Sequence, residues 1–177
     1  MRGYSLLSMV VLLLLLPGTA LTDTNKSVFK PYQSLLDRHL IEKTLPGNGL
    51  VSAFDYRSAL ANEGLERTLA AQRETLQAFS PESLDGREES VAFWINAYNF
   101  FMLEQILTER PDGELVSSVW DYGGRVNPFV DSVFERKKFT IGGRDYSLNE
   151  MEKEILLGEE YADRGRSEER AGGKGGR

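Results

Sequence analysis

The sequence predicts an α+β domain, mainly helical, with a small β-hairpin. Three observations carry that expectation. Apolar residues recur at helical spacing through several stretches between Val28 and Leu156, and the run from Glu88 to Thr108 is apolar with few interruptions. Gly142-Gly143 separates two short alternating segments, and a helix-capping pattern follows at once.

From Val28 the positions Val28, Tyr32, Leu35, Leu36, Leu40 and Ile41 repeat every three or four residues, which gathers them on one helix face. Pro46-Gly47-Asn48-Gly49 stops that pattern, and Leu50 to Tyr56 follows as a short extended segment. Leu60, Leu65, Leu69, Leu76 and Phe79 then predict one or two further helices before Ser80-Pro81. Gly64 argues against a single continuous one, since glycine costs a helix interior roughly 1 kcal/mol relative to alanine.

Glu88 to Thr108 is the strongest element. Between Val91 and Leu107 only Asn96, Asn99, Glu104 and Gln105 are polar, and a helix that is apolar nearly all round is buried on most sides. Pro111 ends it, because its ring disfavours helix at the residue before it. Lys138 to Tyr146 reads as a tight hairpin whose Gly142-Gly143 turn meets the positive-φ demand of a two-residue connection. Ser147-Leu148-Asn149-Glu150 is a capping box, Leu148, Met151, Ile155 and Leu156 give the next helix its apolar stripe, and Gly158 ends it.

The two ends of the chain differ from this body. Arg2, the uncharged apolar run Tyr4 to Leu16, Pro17 and the small residues Gly18-Thr19-Ala20 follow the grammar of a secretory signal cleaved after Ala20. The apolar run falls short of the roughly 20 residues that span a bilayer, so no stable membrane insertion is expected after cleavage. The expected organisation is a signal peptide over 1–20, a domain over 28–163 and a disordered Gly/Arg-rich tail over 164–177. That tail carries Ala171 as its one hydrophobic side chain and cannot bury enough to offset the entropy of ordering. The expected location is secreted or periplasmic.

Composition narrows the chemistry. Cysteine is absent, which excludes disulfides, thiolate nucleophiles and cysteine-ligated metal sites. The net charge is −6, but the tail and Arg2 are basic, and without them the body holds 15 basic and 25 acidic residues. A body at −10 repels phosphate backbones, so it is not expected to bind nucleic acid. A basic arm for anionic polymers is the competing reading of the tail.

Candidate site residues are few. Asn96 and Asn99 stand three apart on the central helix and share a face, either as ligand-orienting groups or as structural amides pinning a loop such as Asp121 to Asn127. Glu89, just inside the central helix, and Asp121, in a Trp-Asp-Tyr-Gly context, are the carboxylates that acid/base work would draw on. His39 is the single histidine; without a cysteine, a second histidine or a serine in a Gly-x-Ser-x-Gly elbow it reads as a partly buried structural residue. Gly123-Gly124 and Gly142-Gly143 fit no phosphate-binding pattern and read as turns. No cofactor and no metal is assigned.

Ala92-Phe93-Trp94-Ile95-Asn96-Ala97-Tyr98-Asn99 resembles the signature of the family of domain of unknown function 547, which occurs in exported bacterial proteins and in plants and animals. Leu50 to Tyr56 upstream and Lys138 to Glu152 downstream are similar to two further motifs of that family, in the same order, and the resemblance covers roughly Tyr32 to Asp163. The resemblance also implies a continuation bearing a histidine and often a cysteine. Here Arg164-Gly165-Arg166-Ser167 stands instead, so the expectation is a C-terminally truncated member whose tail comes from a truncation or frameshift.

The leading expectation is an exported globular domain that is non-catalytic in this form and acts by binding an unidentified ligand or envelope protein. The alternative is an envelope hydrolase or transferase working through Asn96, Asn99 and Glu89 or Asp121. Whether the chain is an enzyme stays open at this point.

Overall fold

The computed structural model describes residues 23–45, 49–118, 122, 133–156 and 158. The predicted signal segment, Asp121, Gly123-Gly124 and the tail lie outside the described residues.

Helices α1 (Asp23–Val28) and α2 (Lys30–His39) meet at Phe29, which leaves helical geometry at φ −97°, ψ 18°. Pro31 explains the break, because it lacks an amide hydrogen and its ring crowds the carbonyl four residues earlier. The helix predicted to run through Leu40 and Ile41 stops at His39. Leu40 and Ile41 do not extend α2; Leu40 turns extended at φ −79°, ψ 127° and opens strand β1 (Leu40–Leu45). That strand pairs antiparallel with β2 (Gly49–Phe54), with Leu40 opposite Phe54 and Leu45 opposite Gly49. Gly49, read as part of a helix stop, instead opens β2, and Ile41 is 43% exposed rather than buried on a helix face.

Asp55 caps the short α3 (Tyr56–Leu60) by accepting the Ser58 amide at 2.9 Å. Gly64 then separates α3 from α4 (Leu65–Ala78), so the region holds two helices. The 22-residue α5 (Arg87–Thr108) is the centre of the molecule. Phe93, Phe100, Phe101, Ile106 and Leu107 are at most 1% exposed, each side chain contributing about 1.5–3 kcal/mol by leaving water. It ends before Pro111, as the sequence predicts. No helix of the described residues is long and apolar enough to cross a membrane.

A short α6 (Val133–Arg136) leads into the second hairpin, β3 (Lys138–Ile141) and β4 (Arg144–Ser147), in which Phe139 stands opposite Tyr146. Gly142 and Gly143 turn it at φ 58° and 76°, the conformations that glycine tolerates best. The capping box closes as predicted: Ser147 Oγ accepts the Glu150 amide at 3.1 Å, and a Glu150 carboxylate oxygen accepts the Ser147 amide at 2.5 Å. The helix it starts takes π geometry over Glu150–Leu156 and packs on α5. The architecture is thus α+β and mainly helical, with two small hairpins where one was expected.

Aromatic rings tie the parts together. Phe93 packs with Phe29 (5.4 Å between ring centres), Phe79 (4.9 Å) and Trp94 (5.3 Å), and Trp94 meets Tyr146 edge-on at 5.0 Å. Phe101 stacks on Phe139 at 4.4 Å. The second hairpin is thereby fixed against the central helix at two points, each ring pair adding about 0.5–1.5 kcal/mol beyond its burial.

Candidate functional site

Where β3 crosses α4 and α5 it leaves an open cleft of about 390 Å³. Phe101 of α5 and Phe139 of β3, stacked on each other and 1% and 5% exposed, form its apolar floor. Arg73 and Gln77 stand one turn apart on α4, Glu104 and Thr108 one turn apart on α5, and Lys137, Lys138 and Thr140 run along β3 and its approach.

Glu104 is the unusual residue. It is a carboxylate at 3% exposure inside the most apolar helix among the described residues, paired with the Arg73 guanidinium. Burial pushes its carboxyl above the ordinary range, while the hydrogen bond and charge of Arg73, and the charge of Lys137, pull the other way. Arg73 keeps a 44% exposed side chain, so the pair is half in water. Lys137 shows the opposite shift: partial burial lowers its ammonium, and the Glu104 and Glu109 carboxylates counter that without cancelling it. Its Nζ stands 5.2 Å from the centre of the Phe139 ring, and among the described residues it forms no ion pair. Lys138 is engaged by Glu150 of the capping box. Glu109, at the end of α5, pairs with Arg136 and accepts from Gln105.

The residues singled out from sequence lie elsewhere. Glu89 is buried near the start of α5, where its carboxylate accepts the Asp85 amide at 2.8 Å and its own carbonyl accepts from Asn25 Nδ2 at 3.2 Å. Asn99 is 8% exposed and Asn96 partly buried; neither amide forms a side-chain hydrogen bond among the described residues, and neither lines the cleft. Asp121 is outside the described residues, so no two of these four are shown converging on one point. His39 is 6% exposed, more deeply buried than expected, with Nδ1 3.1 Å from Ser58 Oγ and Phe54 edge-on at 5.9 Å. Its Nε2 has no hydrogen-bond partner among the described residues.

Sequence reasoning passed over Glu104, Arg73 and Lys137. For Glu104 a signal existed: it is the only charged residue between Val91 and Leu107. Arg73 and Lys137 gave none, since exposed helices and strand approaches scatter such residues freely. Among the described residues no three His, Asp or Glu side chains gather as a metal site would need.

No curated protein and no solved structure matches the chain. A family described as "Protein of unknown function, DUF547" matches residues 81–173. That span takes in α5, both strands of the second hairpin and the capped helix, hence the α5 and β3 walls of the cleft with Glu104 and Lys137, while β2 and Arg73 precede it. The match covers more than half of the 177 residues, and the chain therefore belongs to the DUF547 family.

Proposed function

We propose that this chain is an exported binding domain whose small ligand lodges in the cleft between α4, α5 and β3. One observation carries the reading: a cavity of about 390 Å³ combines stacked Phe101 and Phe139 rings with a buried Glu104 carboxylate and a half-buried Lys137 amine. A concave apolar surface with a few fixed polar groups is what a small-molecule site requires, and the volume is within the usual 300–1,000 Å³. Export rests on Arg2, the apolar run Tyr4 to Leu16, Pro17 and Gly18-Thr19-Ala20. Ligand-detected NMR with a fragment library on the full chain tests the reading. Fragments that compete with one another and are lost in Thr140→Trp, which fills the cleft, support it. Fragments that bind equally well to that variant sink it.

A second reading, an envelope hydrolase or transferase, draws support from the opposed shifts of Glu104 and Lys137. An acid raised and a base lowered in one cleft are the pattern that proton-transfer chemistry uses. In that reading Glu104 is the acid and Lys137 the base. Turnover that disappears in Glu104→Gln while fragment binding persists would favour it over binding alone.

A further inference from the structure

The cleft gathers cations in an acidic molecule. The body of the chain carries 15 basic and 25 acidic residues, yet three cations, Arg73, Lys137 and Lys138, line this one cavity with one carboxylate, Glu104, among the described residues. Two of those cations are already engaged, Arg73 by Glu104 and Lys138 by Glu150. Lys137 is left with a half-buried amine beside the Phe139 ring, and no ion pair of its own among the described residues. A partly desolvated ammonium that faces a cavity gains most from an anion delivered into that cavity.

We propose that the cleft takes a small ligand with one anionic group, carboxylate or phosphate, the anion pairing with Lys137. The inference rests on the binding reading above and specifies the ligand class. Glu104 does not oppose it, because Arg73 stands against that carboxylate and neutralises it. The same geometry disfavours a cationic ligand, which would meet the Lys137 ammonium and find the Glu104 carboxylate occupied by Arg73. The lowered ammonium of Lys137 agrees, since an incoming anion would favour its charged form.

Isothermal titration of the full chain with benzoate, phenyl phosphate, benzyl alcohol and benzylamine, at one pH and salt concentration, tests this. Benzoate or phenyl phosphate should bind at least tenfold more tightly than benzyl alcohol, a difference of about 1.4 kcal/mol, and benzylamine should bind least. The tighter of the two anions identifies the group. Lys137→Met should erase the preference for the anion and leave benzyl alcohol unchanged, while Lys137→Arg should restore it. If benzylamine binds best, or if Lys137→Met leaves the preference intact, the anionic class is wrong although the cleft survives. If none of the four binds, or Thr140→Trp affects none of them, the cleft itself is not the site and both readings fall.

Discussion

Gln72 stands where a helical hydrogen bond between Tyr32 and Val28 would run. Its Oε1 accepts the Tyr32 amide at 3.0 Å and its Nε2 donates to the Val28 carbonyl at 3.0 Å, so a side chain of α4 bridges the break between α1 and α2. Pro31 opens that turn and Gln72, with no exposed surface, fills it.

Replacing this amide should be costly. Gln72→Leu preserves volume but leaves a buried amide and a buried carbonyl unpaired, each worth about 1–3 kcal/mol. A loss of roughly 3 kcal/mol is expected. Urea unfolding should show a lower midpoint with an unchanged slope; a variant as stable as the wild type would mean that the bridge is dispensable.

The two turn glycines of the second hairpin should separate sharply. A Cβ at Gly142 would lie 2.7 Å from the Phe79 carbonyl oxygen and 2.9 Å from Pro81 Cδ, whereas one at Gly143 would meet nothing within 4 Å. Both have positive φ, so each alanine costs about 1 kcal/mol in backbone strain. Gly142→Ala must in addition push the hairpin off the end of α4 and disturb the bond from its amide to the Leu76 carbonyl. Thermal melting should fall clearly further for Gly142→Ala than for Gly143→Ala.

Glu104 should make the fold sensitive to rising pH. Its carboxyl is raised on folding, so its favourable contribution is fully present below the ordinary value of 4.5 and is lost as pH climbs through the folded value. Glu104→Gln removes that term. The stability of the variant relative to wild type should therefore grow from pH 4 towards neutrality, measured by urea midpoints across that range. A constant difference would show that Arg73 compensates the buried charge fully.

The capping box should respond in the opposite direction. Lys138 and the Ser147 amide and hydroxyl hold the Glu150 carboxyl down to about 2. A lowered carboxyl contributes stability above its ordinary value of 4.5 and loses it as pH falls towards 2. Glu150→Gln should lose most relative to wild type above pH 5 and draw level near pH 2. Ser147→Ala should cost about 1 kcal/mol at neutral pH, as N-cap removals do.

Much of the fold was legible because it is encoded locally. The extent of α5, the Gly142-Gly143 turn, the reciprocal Ser147 and Glu150 bonds and the break at Gly64 each depend on a few neighbouring residues, and each stands as the sequence predicts. Local pattern misled where one signal serves two structures. A Pro-Gly-Asn-Gly sequence is compatible with a helix end and with a strand connection alike, and only pairing with Gly49–Phe54 assigned Leu40 and Ile41 to a strand.

The sequence by itself determined the helical core, the second hairpin with its capped helix, the absence of cysteine chemistry and the acidic sign of the body. Tertiary structure alone decided the cleft. Arg73 on α4, Glu104 on α5 and Lys137 on the approach to β3 are separated by more than thirty residues each way, and the opposed shifts of Glu104 and Lys137 arise only when packing removes water from both and brings their charges near each other. Desolvation and Coulomb interaction depend on distance in space, and no spacing along the chain reports it.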